Sequence, residues 1–211
     1  MPKVVDIDER RAQLIAATSE AIARDGLANV TLRSIAGSAG WTTGIVTHYF
    51  ADKRSLLMAT FEHRADRARH QIDDAVAHGA SLLDAAIATL PLDAESMLDW
   101  RVSVAYIGAS IGDEEMAMLH SRRVDSFAAT LRTALVEEQR AGRLPPHLDQ
   151  TTEADRLLVV INGIAIQAVL HANHYTPTRQ RAIVDAHLRS LGAQRPTSRR
   201  TVTHTLRSTP R

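Results

Sequence analysis

The sequence contains no cysteine, which excludes disulfide bonds and metal sites built on thiolates. It also lacks any run of about 18 apolar residues, the shortest length expected for a membrane-spanning helix. The first residues, MPKVVDIDERRAQ, have no apolar segment of the kind found in secretory signals. From these absences we expect a cytoplasmic protein with no membrane partner.

The sequence also has no large excess of positive or negative charge. The chain has 25 basic and 24 acidic residues, and residues 1–55 have seven Lys or Arg against six Asp or Glu. This balance excludes a polycation that coats nucleic acid through total charge. Any affinity for DNA must depend on where hydroxyl groups, backbone N–H groups and single cations are placed.

Motifs of common enzymes are also absent. The sequence has no G-x-S-x-G elbow, no glycine-rich phosphate loop and no H-E-x-x-H pair. His171 and His174 have a spacing that could share a metal ion, but no third ligand stands near them, and His171 is expected in the core or an interface. We therefore expect no enzymatic activity, no cofactor and no metal.

The stretch from Asn29 to Leu57 has the layout of a helix-turn-helix. Thr31 is a favourable N-cap, apolar residues then recur at helical spacing, and Gly40 suits the left-handed end of that helix. A second short helix is predicted over residues 43–49, where a helix-turn-helix places the segment that enters the DNA major groove. An ordinary helical hairpin is the alternative, but the hydroxyl-rich second helix favours DNA.

The expected DNA contacts share hydroxyl, imidazole or cationic groups, or an exposed backbone. Asp52 is predicted to cap the next helix, which places Lys53 beside free backbone N–H groups as a phosphate clamp. The predicted contact residues are Thr31, Arg33, Thr42, Thr43, Gly44, Thr47, His48, Tyr49 and Lys53.

Residues 10–61 resemble the DNA-binding domain of TetR-family transcriptional regulators. The resemblance rests on Gly26, the run Thr31-Leu32-Arg33-Ser34-Ile35-Ala36, the Ala39-Gly40 turn, His48-Tyr49-Phe50 and Asp52-Lys53-Arg54-Ser55-Leu56-Leu57. The segment TTGIVTHYFADKRSLLMATFEHR is similar to BetI-type choline-sensing repressors. Thr47 departs from the pattern, because an aromatic residue often precedes the Tyr-Phe pair there.

The remaining chain shows helical periodicity and no strand-like alternation, so the predicted fold is all-α with about nine helices. We predict a helix-turn-helix domain over residues 1–52 and a helical effector-binding and dimerisation domain over residues 53–192. Residues 193–211 contain five Arg and no acidic residue, which indicates a disordered basic tail, with a supplementary DNA contact as the alternative.

A homodimer is predicted from the helix around residues 157–170, which is apolar on nearly every side and so must be covered on every side. The resemblance implies the same, since TetR-like regulators dimerise through their last two helices. A single buried helix in a monomer is the alternative. The predicted interface residues are Leu158, Ile161, Ala165, Val169, Ile183, His187 and Leu191.

The resemblance further implies a repressor that binds a palindromic operator and is released by a small-molecule effector held between the middle helices. The alternative is a DNA-bound adaptor without an effector. The predicted pocket residues are Met97, Trp100, Arg101, Tyr106, Met116, Phe127, Asn162, Gln167 and His171. The chain has only three Tyr, three Phe and two Trp, too few for a choline cage of several aromatic rings, so choline is not carried over.

Overall fold

A computed structural model of the chain describes residues 7–78 and 80–192. Within these ranges the chain forms nine helices and no strand, which confirms the predicted all-α fold. The nine helices are α1 (Ile7–Asp25), α2 (Leu32–Ser38), α3 (Thr43–Tyr49), α4 (Lys53–Ala77), α5 (Leu82–Ala88), α6 (Ala94–Ser110), α7 (Glu114–Arg140), α8 (Gln150–Leu170) and α9 (Pro177–Gly192). The basic tail lies outside the described residues, and no described helix is long and apolar enough to cross a membrane.

Local capping chemistry fixes most of the helix ends. Thr31 and Ser34 form a reciprocal capping box at the start of α2, which satisfies two backbone N–H groups of the first turn. Asp93 caps α6 through the backbone N–H of Ser96 at 2.8 Å. Gly40 follows α2 with a φ of 70°, a conformation that favours glycine, and this confirms the predicted turn.

A first hydrophobic core holds the N-terminal helices together. Leu14, Ile35, Leu56 and Phe61 are almost fully buried in it. The same core includes four residues of α6 and α7, which are Val102, Tyr106, Met116 and Leu119. Apolar packing is therefore continuous across the predicted domain boundary between residues 52 and 53.

A second core joins α5, α7, α8 and α9. Leu131, Leu135, Leu157 and Val184 are buried in its centre. Gln180 is also fully buried, and its amide nitrogen donates to the carbonyl groups of Pro91 at 3.2 Å and Tyr175 at 2.8 Å. These bonds tie the first turn of α9 to the loop before α6.

Helix α8 has one face in this core and one face open. Three predicted interface residues, Ile161, Ala165 and Leu191, are fully buried within the protomer, so they have no surface to offer a partner. Their burial corrects the sequence prediction, because apolar residues all round a helix do not reveal which side its own chain covers. The open face carries Val159 and Leu170, which are 66% and 64% exposed.

Candidate DNA interface and effector cavity

The short helix α3 is held by one side and exposed on the other. Val46 and the following Phe50 are buried in the first core, which anchors a helix too short to be stable alone. On the opposite side Thr43, Gly44 and His48 are exposed. The structure thus presents these predicted contact residues together on one open surface.

Two of the predicted hydroxyl groups already have partners within the chain. The Thr47 hydroxyl donates to the carbonyl groups of Thr43 at 3.3 Å and Gly44 at 3.1 Å. The Thr31 hydroxyl belongs to the capping box of α2. Both side chains are exposed, so a phosphate contact would have to compete with these local hydrogen bonds.

Helix α1 holds the C-terminal end of α3, a contact that the sequence prediction missed. The Arg11 guanidinium donates to the Tyr49 carbonyl at 2.8 Å and lies 4.3 Å from the centre of the Phe50 ring. Arg10 lies 4.9 Å from the centre of the Trp41 ring, beside the start of α3. Two consecutive arginines therefore fix both ends of α3 against α1.

The start of α4, which carries the proposed phosphate clamp Lys53, is bound to the start of α7. Asp52 caps α4 by accepting from the Ser55 N–H at 2.7 Å, as predicted, and Lys53 is the first helical residue. The next residue, Arg54, binds both Asp113 and Glu115 at the start of α7. These two acids hold the pKa of Arg54 above its usual value, and Arg54 in turn holds the pKa of Asp113 well below its usual range.

A cavity of about 300 Å³ lies between α4, α6, α7 and α8. Aromatic and aliphatic side chains form much of its wall, together with several arginines. The lining residues are Arg64, Ala65, Asp66, Arg69, Ile72, Thr89, Asp99, Trp100, Ser103, Tyr106, Ile107, His120, Arg122, Arg123, Val124, Ser126, Phe127, Leu158 and Asn162.

The cavity includes some of the predicted pocket residues and not others. The predicted residues in its wall are Trp100, Tyr106, Phe127 and Asn162. Those outside it are Met97, Arg101, Met116, Gln167 and His171. Met116 packs in the first core. His171 is exposed as the C-cap of α8, which contradicts a place in the core, whereas its other expected location, an interface, stays a prediction. Leu158, predicted at the dimer interface, lines the cavity instead.

Most of the charges around the cavity are paired. Arg64 is in contact with Asp99 and donates to the Ser19 hydroxyl at 3.2 Å, which links α4 to α1 and α6. Arg69 reaches Asp66 on its own helix at 3.3 Å. Trp100 is fixed by a hydrogen bond from its indole N–H to the Thr89 carbonyl at 2.7 Å.

Arg123 differs from these residues, because the described part of the chain places no carboxylate within ion-pair distance of it. Its guanidinium lies 5.7 Å from the centre of the Tyr106 ring. Burial lowers the pKa of Arg123, and the nearby Tyr106 and Asp66 offset this only in part. Burial and the charge of Arg123 also lower the pKa of His120, so that imidazole is neutral at pH 7.

The sequence contains a signal for Arg123, although Arg123 is not among the predicted pocket residues. Met116, Leu119, Phe127 and Leu131 follow each other along α7 at helical spacing, and Arg123 occupies the position between Leu119 and Phe127 on that apolar stripe. A charged residue on a buried face requires compensation by a partner. The predicted pocket residues all lie between Met97 and His171, so the prediction omitted the cavity-lining residues of α4.

Comparison with known proteins agrees with this architecture. Residues 14–60 match the model of the tetR family of bacterial regulatory proteins, and residues 78–193 match that of the C-terminal region of BetI-type transcriptional repressors. The regulator PksA of Bacillus subtilis is 23% identical over 195 residues, which cover 90% of this chain and 94% of PksA. The regulator BetI of Paraburkholderia phytofirmans is 54% identical over 63 residues, only 30% of this chain and 32% of BetI.

Solved structures show the same fold. A transcriptional regulator from Rhodococcus is 22% identical and superimposes with a TM-score of 0.74 over 86% of this chain and 95% of its own. A regulator from Saccharomonospora viridis, solved in complex with choline, is 20% identical, with a TM-score of 0.73 over 86% of this chain and 96% of its own. At these identities the likeness concerns the fold alone.

Proposed function

Since the chain belongs to the TetR family of bacterial transcriptional regulators, a helix-turn-helix DNA-binding family, we propose that it is a homodimeric repressor released from its operator by a small molecule. Residues 1–52 would bind DNA and residues 53–192 would bind the effector and the second subunit. An operator on the chromosome implies a cytoplasmic protein.

One observation carries this proposal, namely that a single helix serves both sites. Helix α4 begins at Lys53, beside the exposed surface of α3, and its residues Arg64 and Arg69 line the cavity. Lys53 and Arg64 are eleven positions apart, about 16.5 Å along the helix axis. A change in the cavity wall can therefore move the clamp without any intermediate element.

DNA binding would use α3 in the major groove and Lys53 on the backbone. Thr43, Gly44 and His48 are exposed where base edges would lie, and Lys53 stands at a helix N-terminus, which favours phosphate. Two such helices in a dimer would read half-sites about 34 Å apart on a near-palindromic operator.

The dimer would form on the open face of α8 together with α9. Val159, Gly163 and Leu170 recur at helical spacing on that face, and a side chain at Gly163 would meet nothing within 4 Å of its Cβ. Exposed apolar residues around a glycine suit close approach of two helices. This surface replaces the buried Ile161, Ala165 and Leu191 of the sequence prediction.

The cavity favours an effector over the alternative of an adaptor that has none. A packed middle domain would suit an adaptor, whereas a volume of about 300 Å³ with fixed polar groups suits a small ligand. The choline complex of the Saccharomonospora regulator supports the idea that this fold holds small molecules. The effector would act by binding one dimer geometry more tightly than the other.

The proposal is tested by gel shift with the DNA that flanks the protein's own gene, at physiological salt and with scrambled competitor. We expect a sequence-specific complex with two protomers per site, or a multiple of two, and a palindrome in its footprint. Only nonspecific binding, tested across a genomic fragment library, would contradict the proposal. A specific complex that no cavity ligand weakens would favour the adaptor.

A further inference from the structure

We propose that the cavity ligand is a small organic anion, a carboxylate on an aryl or short alkyl body, and that Arg123 binds its carboxylate. This inference rests on the proposed function only in taking the cavity as the effector site. It concerns the chemistry of the ligand, which neither the fold nor the family models determine.

The first argument is the charge of the cavity wall. Arg64 is neutralised by Asp99, and Arg69 by Asp66. Arg67, which lies 4.0 Å from Asp99, is bound to Glu95 at 2.5 Å. The cations left over are Arg122 and Arg123, so the wall has an excess of two positive charges. A cationic ligand would be repelled by this wall, whereas an anion would be attracted.

The second argument is the position of Arg123. The side chain is half-buried, lines the cavity and has no acid within ion-pair distance in the described part of the chain. A half-buried guanidinium without an acidic partner is unfavourable for the free protein. Its planar fork matches a carboxylate in a bidentate arrangement, so an anionic ligand would supply the missing partner.

The third argument is the state of the neighbouring groups. His120 is a neutral imidazole in the same wall and can donate one further hydrogen bond to the ligand. The body of the ligand would lie against Trp100, Phe127 and Leu158. At about 300 Å³ the cavity is at the lower end of the usual range for ligand sites, which favours a single ring or a short chain.

The structure also explains why a quaternary ammonium ion fits poorly. A cation cage needs aromatic faces that are free, but Tyr106 is fully buried between Phe61, whose ring centre is 4.1 Å away, and the guanidinium of Arg123. Trp100 and Phe127 remain, and both acids of the wall are held by arginines. Neither the 63-residue similarity to BetI nor the match of residues 78–193 to the BetI-type C-terminal model alters this charge balance.

The test is isothermal titration calorimetry on the purified full chain, without DNA. The probes are 3-phenylpropionate and hexanoate, the amide of each, the matching trimethylammonium compounds, and choline. We expect at least one carboxylate to bind with a Kd below about 1 mM and at least about 10-fold more tightly than its amide or its cationic counterpart, as a charge-assisted pair requires.

Three variants assign the effect to Arg123. We expect Arg123→Gln to weaken carboxylate binding by about 10-fold or more, and Arg123→Lys to give an intermediate affinity. The matched control is Arg132→Gln, which removes the same charge from an exposed position of α7 that does not line the cavity and should change the affinity less than about 3-fold. Without ligand, Arg123→Gln should melt at the same temperature as the parent or higher, since it removes a half-buried cation.

The proposal is overturned if choline or a trimethylammonium probe binds more tightly than the carboxylates, if no carboxylate binds, or if Arg132→Gln and Arg123→Gln lose affinity equally. Because the titration involves no operator, its failure is separate from that of the proposed function. A regulator that binds its operator but prefers cations would keep its function and lose this ligand class.

Discussion

The guanidinium of Arg54 and the carboxylate of Asp113 form a two-pronged ion pair, with N–O distances of 2.6 and 2.9 Å. Asp113 is also the N-cap of α7, where it accepts from the Met116 N–H at 3.0 Å. Asp113 therefore caps α7, the helix that carries Arg123, and also binds Arg54, the second residue of α4. Lys53, the proposed clamp, is the immediate neighbour of Arg54.

A first prediction concerns Asp113→Asn. Asparagine is as good an N-cap as aspartate, so α7 should keep its start while the charge pair with Arg54 is lost. At low salt we expect amide hydrogens at the start of α4 to exchange faster and operator affinity to fall about 3-fold, whereas at about 1 M salt the difference in exchange should disappear. Arg140→Gln, which breaks an exposed ion pair with Glu137, is the control and should change neither measurement.

A second prediction separates the clamp from the reader. Lys53→Ala should weaken binding to every DNA sequence and reduce the salt dependence by about one ion, because the lysine contacts phosphate. Thr43→Ala should instead change the order of preference among operator variants. Fluorescence anisotropy on an operator series at several salt concentrations measures both, and equal weakening on all DNA by both variants would refute the division.

A third prediction concerns the open face of α8. Gly163→Arg should cost the protomer nothing, because its Cβ meets no atom within 4 Å and arginine favours a helix more than glycine does. On the proposed interface it should prevent dimerisation. Light scattering after gel filtration should then give a mass near the 23.1 kDa of one chain, and operator affinity should fall at least about 10-fold.

The matched control for the interface is Gly108→Arg. Gly108 is also an exposed glycine within a helix, with nothing within 4 Å of its Cβ, but it lies on α6. This variant should remain a dimer. A dimeric Gly163→Arg protein would place the interface on another surface.

A fourth prediction concerns pH. Burial lowers the pKa of both His120 and His187, with the charge of Arg123 adding to the effect at His120, whereas at His187 nearby Glu153 opposes it and Arg156 adds to it. Near pH 6.5 these two histidines therefore bind protons in the unfolded chain but not in the folded chain. The free energy of unfolding should fall as the pH drops below about 6.5. The aspartates with lowered pKa lose their contribution only in more acidic solution, outside this window.

Thermal unfolding at pH 7.5 and 5.5, at fixed protein concentration, checks this expectation. We expect a Tm about 2–4 °C lower at pH 5.5 and a smaller difference in the double variant His120→Gln, His187→Gln. An unchanged pH dependence in that variant would show that other groups are responsible.

The local features of this fold were predictable because their causes are close in sequence. The Thr31, Asp52 and Asp93 caps act on residues three positions away, and Gly40 acts on its own backbone. Packing was harder to predict. The periodicity of α8 does not tell that Ile161 faces the protomer core while Val159 faces outwards.

The parts of the candidate sites that escaped prediction depend on contacts between distant residues. Arg11 meets Tyr49 across 38 positions, and Arg54 meets Asp113 across 59. Among the described residues, no carboxylate lies within ion-pair distance of Arg123. This is a property of four helices at once, so no spacing rule in the sequence could reveal it.

The core that includes Val102, Tyr106, Met116 and Leu119 with the N-terminal helices has a consequence for chimeric regulators. Exchange of residues 1–52 alone would bring a foreign surface against side chains of α6 and α7 that share a core with Leu14 and Ile35. A stable chimera must therefore receive these four residues of α6 and α7 together with the DNA-binding helices. In this protein, a portable module therefore includes two non-contiguous pieces of the chain.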